Sequence, residues 1–237
     1  MRLANRPFLP CALSIALLAC GKSPGVNAPA SVDDLCGAGR VIEDGENDDG
    51  QILRHMGRSG YLYTYADEIG STVSPTGEFI MSSPGAAGSK HALRSTGVLA
   101  KRGEVFAGLG LHFTESKRPY DASAYKGISF HAKRGAPYHA FFRLRVPDVN
   151  TDPAGGICTY CFNDFGFNLE LTEEWQRFVA PFDALEQESG WGEPRPEAID
   201  TSQLMGVQWQ VTSPGAMFDV WIDDVEFLCE LPKEATR

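Results

Sequence analysis

The sequence predicts an all-β protein, a β-sandwich, on three observations. Apolar residues recur with a period of two through most of the chain, as in Ala107, Leu109, Leu111 and Phe113 or Val207, Trp209 and Val211. Clusters of Gly, Pro, Asn and Asp break that alternation at intervals of about a dozen residues, the rhythm of short strands joined by turns. Helical patterning is confined to two short stretches, 121–125 and 183–188. With 237 residues, 43% hydrophobic and 22% charged, the chain has material for one large packed core, and single sandwiches routinely reach this size.

Taken in order, the chain opens on a leader. Arg2 and Arg6 give a positive start and residues 8–19 an apolar run too short to cross a bilayer as a helix, so residues 1–19 read as a signal peptide. The run ends in Leu17-Leu18-Ala19-Cys20-Gly21, which resembles a bacterial lipobox and implies lipidation of Cys20. More than one acyl chain gives stable anchoring. The expected location is therefore exported and lipid-anchored to the cell envelope, with Gly21 in place of Asp pointing to the outer membrane or cell surface. Residues 20–35 lack apolar periodicity and read as a flexible tether, residues 36–230 as the folded domain and 231–237 as a tail.

Strands are predicted over 40–44, 61–65, 91–97, 106–113, 127–133, 138–146, 175–182, 204–211 and 218–228. Alternation assigns their faces. In 138–146, Ala140, Phe142, Leu144 and Val146 form the core set, leaving His139, Phe141, Arg143 and Arg145 opposite. In 106–113 the core set leaves Phe106, Gly108, Gly110 and His112 outward, and in 204–211 it buries Trp209 and leaves Gln208 and Gln210 outward. Tyr61, Tyr63 and Tyr65 share one face of their strand. In the last strand the apolar phase changes between Val220/Ile222 and Val225/Phe227, which predicts a β-bulge at Asp223-Asp224.

Beyond Cys11 in the leader and Cys20, four cysteines remain, and an exported setting favours disulfides. Cys36 with Cys229 would tie the ends of the domain and close the longest loop, worth about 4–5 kcal/mol in the chain-entropy model. Cys158 with Cys161 would then staple the long loop 148–167. A zinc site needs a second ligand pair, and a thioredoxin-like redox motif needs a βαβ context; neither accompanies Cys158-Thr-Tyr-Cys161.

Lys+Arg number 21 against 31 Asp+Glu, a net charge of -10, and no basic run is present, so nucleic acid is not an expected partner and acidic polymers are poor substrates. If the outward sets share one sheet, planar amides and guanidinium groups lie beside exposed aromatic rings. That surface suits a sugar chain, with hydroxyl edges and C–H faces; the plain alternative is a solvated sheet face. Candidate ligand-binding residues are His139, Phe141, Arg143, Arg145, Gln208 and Gln210 on this face, Tyr63 and Tyr65 on a second aromatic platform, Trp191 at a loop tip, and Asp164 in the stapled loop, where Tyr160 and Phe162 offer further contacts.

The segments Tyr125-Lys126-Gly127-Ile128-Ser129-Phe130, Leu171-Thr172-Glu173-Glu174-Trp175-Gln176, and Gly206-Val207-Gln208-Trp209-Gln210 followed by residues 218–225 resemble successive strands of galactose-binding-like jelly-roll modules, family 11 carbohydrate-binding modules in style. The resemblance runs from about Val41 to Leu228. It implies a jelly-roll sandwich, non-catalytic binding of a polysaccharide or oligosaccharide, and a structural calcium where the first and last strands meet. Glu43 and Asp224, with Asp44 and Asp223 behind them, supply hard oxygen ligands for it. Protein-binding scaffold or assembly domains share this fold and are the competing class. An enzyme is less favoured: no Gly-x-Ser-x-Gly elbow, His-Glu-x-x-His pair or phosphate loop is present, and in Gly85-Ala-Ala-Gly-Ser-Lys90 the Lys follows the Ser. Paired carboxylates at glycosidase spacing cannot be read from sequence.

Overall fold

The computed structural model describes residues 32–233. The signal peptide, Cys20, most of the tether and the end of the tail lie outside the described residues. Eleven strands form two antiparallel sheets. The first sheet runs β3 (Thr72–Ser74), β4 (Leu93–Val98), β11 (Met217–Leu228), β6 (Gly127–Arg134), β9 (Gln176–Pro181), with β1 (Val41–Glu43) also on β11. The second runs β2 (Leu62–Ala66), β5 (Ala107–His112), β10 (Gly206–Val211), β7 (Phe141–Val146), β8 (Phe165–Glu170). The inward sets read from alternation fill the space between them. Val207, Trp209 and Val211 are fully buried, as are Leu109, Leu111 and Leu144, and Trp209 meets Phe130 of the opposite sheet edge-on at 5.2 Å.

The first and last strands pair, Val41 opposite Glu226 and Glu43 opposite Val225. The bulge in β11 falls where the apolar phase changes: Asp223 faces His131 and Glu226 faces Ser129, one residue more on β11 than on β6, and Asp224 sits at φ 48°. Both expected disulfides form, Cys36–Cys229 with Cα atoms 5.9 Å apart and Cys158–Cys161 with Cα atoms 5.1 Å apart.

Several elements differ from expectation. Residues 32–35 of the expected tether belong to a short helix, Val32–Cys36, with Asp33 and Asp34 in its first turn where the helix dipole favours acids; Leu35 packs on the core and Cys36 is fixed to Cys229. Residues 121–125 form a turn, and the 183–188 stretch is reduced to a 3-10 turn at Phe182–Ala184. Strand β7 begins at Phe141, because the Tyr138 and His139 amides are bonded to Gly135 and Met217 carbonyls instead of a strand neighbour. Strands β3 and β8 were not expected; β8 occupies the end of the supposed long loop.

Candidate functional site

The register of the second sheet brings the predicted outward residues into two rows. One row is Tyr63, Gly110, Gln208, Arg145 and Gly166; the next is Tyr65, Gly108, Gln210, Arg143 and Asn168. The tyrosine platform and the amide and guanidinium groups are thus one surface. The glycines make it so. A Cβ on Gly110 would lie 2.9 Å from the Tyr63 ring and hydroxyl, and one on Gly108 would lie 3.0 Å from the Tyr65 hydroxyl, because both rings lie down across those positions toward the middle of the sheet. Gln208 Nε2 donates to the Tyr63 hydroxyl at 2.9 Å. The Tyr65 hydroxyl lies buried between Gln210 and Arg145 without a well-formed hydrogen bond, and burial pushes its pKa up to about 12, so it stays protonated as a neutral donor. His112 stacks on Tyr63 with centroids 4.5 Å apart. Burial, helped by Lys117, lowers its pKa to about 4, leaving the imidazole neutral near pH 7.

The two arginines are not free arms. Arg145 is 6% exposed and paired with Asp164, itself 2% exposed, at 2.6 Å, and it also donates to the Phe162 carbonyl. Neither Arg145 nor Asp164 is an exposed contact, contrary to expectation: loop 147–164 folds back over the end of β7 and caps this part of the face. The two form a buried ion pair, so removing either partner would strand the other without a counter-charge. Arg143 is half-buried; it donates to the Glu186 carbonyl at 2.7 Å and approaches Asn168 Oδ1 at 3.5 Å. Both arginines therefore form a polar floor.

Above that floor the rings are bare. Phe141 is 57% exposed, and Phe106, just before β5, where its amide donates to Asp67 Oδ2 at 3.0 Å, is 37% exposed. Alternation alone puts Phe106 outward, and its place at the strand start beside Tyr65, 6.3 Å away, adds it to the surface. His139 lies beside Phe141 at 5.8 Å and within 3.1 Å of Ser213 Oγ, off the end of the strand and not in the rows. Trp191 packs edge-on against Tyr160 at 5.6 Å in the wall above Arg145, and its carbonyl accepts from Asn163. Tyr160 and Phe162, 59% and 55% exposed, extend the aromatic surface along that wall.

The acidic residues at the strand junction divide. Glu43 is fully buried; its Oε1 accepts from the Gly45 amide at 2.8 Å and its Oε2 has no partner. Burial, reinforced by Asp44, Asp49 and Asp223 and opposed by the Gly45 amide, raises its pKa to about 8. Asp223 is also buried and accepts from the Ala86 and Asp224 amides at 2.7 and 2.8 Å. Asp224, turned by the bulge, pairs with His131 at 3.0 Å, and Asp44 accepts from the Glu46 amide. Among the described residues no three acidic, His or Cys side chains converge to hold a metal, so the four expected ligands do not act as one set. Glu43 Oε2 is thus a buried carboxylate oxygen without a partner, beside Asp223.

No protein-family profile and no curated protein sequence matches the chain. Solved structures do match. A family 11 carbohydrate-binding module from Clostridium thermocellum, in complex with a β-1,3-1,4-mixed-linked tetrasaccharide, is 13% identical with a TM-score of 0.53, over 79% of this chain and 96% of that one. The family 11 module of a cellulosomal cellulase from Clostridium thermocellum is 14% identical, TM-score 0.54, over 82% and 98%. A family 30 carbohydrate-binding module is 14% identical, TM-score 0.53, over 78% and 96%. The likeness is one of fold: the chain has the two-sheet β-sandwich, jelly-roll architecture seen in family 11 and family 30 carbohydrate-binding modules.

Proposed function

We propose that this protein binds a neutral polysaccharide or oligosaccharide, without chemistry of its own, on the outer face of the second sheet. The observation that carries the reading is the pair of rows built on Gly108 and Gly110, which sets Tyr63, Tyr65, Gln208, Gln210 and Arg143 side by side on one sheet face that also carries the exposed rings of Phe106 and Phe141. Polar edges below and apolar faces at the rim match a pyranose, which presents hydroxyls around its edge and C–H groups on its faces. The fold likeness to modules that include one holding a mixed-linked tetrasaccharide supports it. A chain of net charge -10 favours uncharged glycans over acidic ones.

The test is retention of the purified full chain on immobilised mixed-linked β-1,3-1,4-glucan, cellulose, xylan and agarose. Retention that Gln210→Ala weakens at unchanged melting temperature supports the reading; no retention on any polymer favours a protein-binding scaffold, and release of reducing ends would point to hydrolysis. We further read Cys20 as the lipid-bearing residue of an exported protein, with two disulfides that suit an oxidising compartment. Cys20→Ser is expected to move the protein from the membrane to the soluble fraction. Calcium is read as bound at Glu43, with Asp223 adjacent. A melting midpoint unchanged between added calcium and chelator would remove the metal.

A further inference from the structure

Phe162 is held in a conformation that its own side chain disfavours. Its φ of 73° lies in the left-handed region, which a bulky residue occupies only where its surroundings over-determine it. Its ring is 55% exposed, so core packing does not offset that strain. The surroundings are specific. The Phe162 amide donates to the Thr151 carbonyl at 2.8 Å, and its carbonyl accepts from Arg145, which Asp164 fixes in turn. The preceding residue, Cys161, is bonded to Cys158. The following residue, Asn163, is 2% exposed; its Nδ2 donates to the Glu188 and Trp191 carbonyls at 2.9 and 2.6 Å, and its Oδ1 accepts from the Glu188 amide at 2.9 Å. A loop that needed only to close would place Gly or Asn here at lower cost.

We propose that Phe162 is a ligand-contacting residue, its ring held out over the Arg145 end of the sheet face to stack on a sugar while Phe141 serves the other end of β7. The proposal rests on the glycan-binding reading above and sharpens it. Residues 141 and 145 are about 13 Å apart along the strand at roughly 3.3 Å per residue. A single pyranose cannot bridge that distance, so the site takes an oligosaccharide or an internal stretch of polymer.

The experiment compares the full chain with Phe162→Gly and Phe162→Tyr on the same four immobilised polymers, with melting curves for each. Glycine tolerates the left-handed conformation, so Phe162→Gly is expected to keep its melting temperature or raise it by about 2–4 °C. Retention should weaken about tenfold on each polymer that retains the wild type, and Phe162→Tyr should bind as the wild type does. Where mixed-linked glucan is retained, its tetrasaccharide should compete and glucose should not. Undiminished retention of Phe162→Gly overturns the proposal, and so does equal competition by glucose. A lowered melting temperature in Phe162→Gly overturns the strain argument beneath it. Failure of the wild type itself on all four polymers is a different result: it overturns the glycan-binding reading, and this inference with it.

Discussion

The outer faces of the two sheets carry similar residues and use them oppositely. On the first sheet Arg94 lies 4.6 Å over the Trp221 ring while pairing with Asp219 at 2.8 Å, and Lys133 sits 4.9 Å from both Trp221 and Trp175. The cations occupy the aromatic faces, and Trp221 is 8% exposed. On the second sheet the cations are drawn down, Arg145 to Asp164 and Arg143 to a backbone carbonyl, and the rings of Phe141 and Phe106 stay bare. Aromatic and cationic content alone does not mark a recognition surface. What matters is whether the ring faces are already taken.

The largest effect that would sharpen this contrast is Asp164→Ala, which leaves Arg145 buried and unpaired. A loss of about 3–5 kcal/mol in denaturant unfolding is expected, largely recovered when Arg145→Met is added. A small loss for the single variant would mean the second face is not held down as described. Next, Arg94→Ala should cost about 1–2 kcal/mol by removing a cation–π contact and exposing Asp219 to poorer company, with glycan retention unchanged; a loss of retention would make the first face the binding surface instead. Phe141→Ala should do the reverse, weakening retention about fivefold at unchanged melting temperature. A further test is one of pH. Because the His112 pKa is depressed from 6.5 to about 4 in the folded protein, its contribution is present above pH 6.5 and is lost as pH falls toward 4. The melting temperature of His112→Gln should fall less than that of the wild type over that interval, and parallel curves would show that His112 is not held neutral beside Tyr63.

Much of this arrangement was legible beforehand because a strand with one buried face writes its orientation into every second residue. The inward sets of β5, β7 and β10, the burial of Trp209, the bulge at Asp223-Asp224 and both disulfides followed from that rule and from cysteine spacing. Strand β3 has three residues, too few for alternation to register. Strand β8 does alternate, Phe165, Phe167 and Leu169, but Gly166 and the run of loop residues before it hid the pattern. Register was beyond reach, because alternation says which side a residue faces and not which residue stands beside it. The sequence therefore placed Arg145 correctly outward yet could not show that the loop carrying Asp164 covers it. Nor could it show Phe162 in a left-handed conformation, since only assembled neighbours impose one.

The bond between Cys36 and Cys229 also has a mechanical meaning. It lies where the first and last strands meet, so tension drawn through residues before Cys36 and after Cys229 passes across two sulfur atoms and bypasses the hydrogen-bonded ribbons between them. A load applied to the sheet faces would instead pull on the sandwich from the side, and the covalent clasp would keep its opening and closing ribbons from peeling apart.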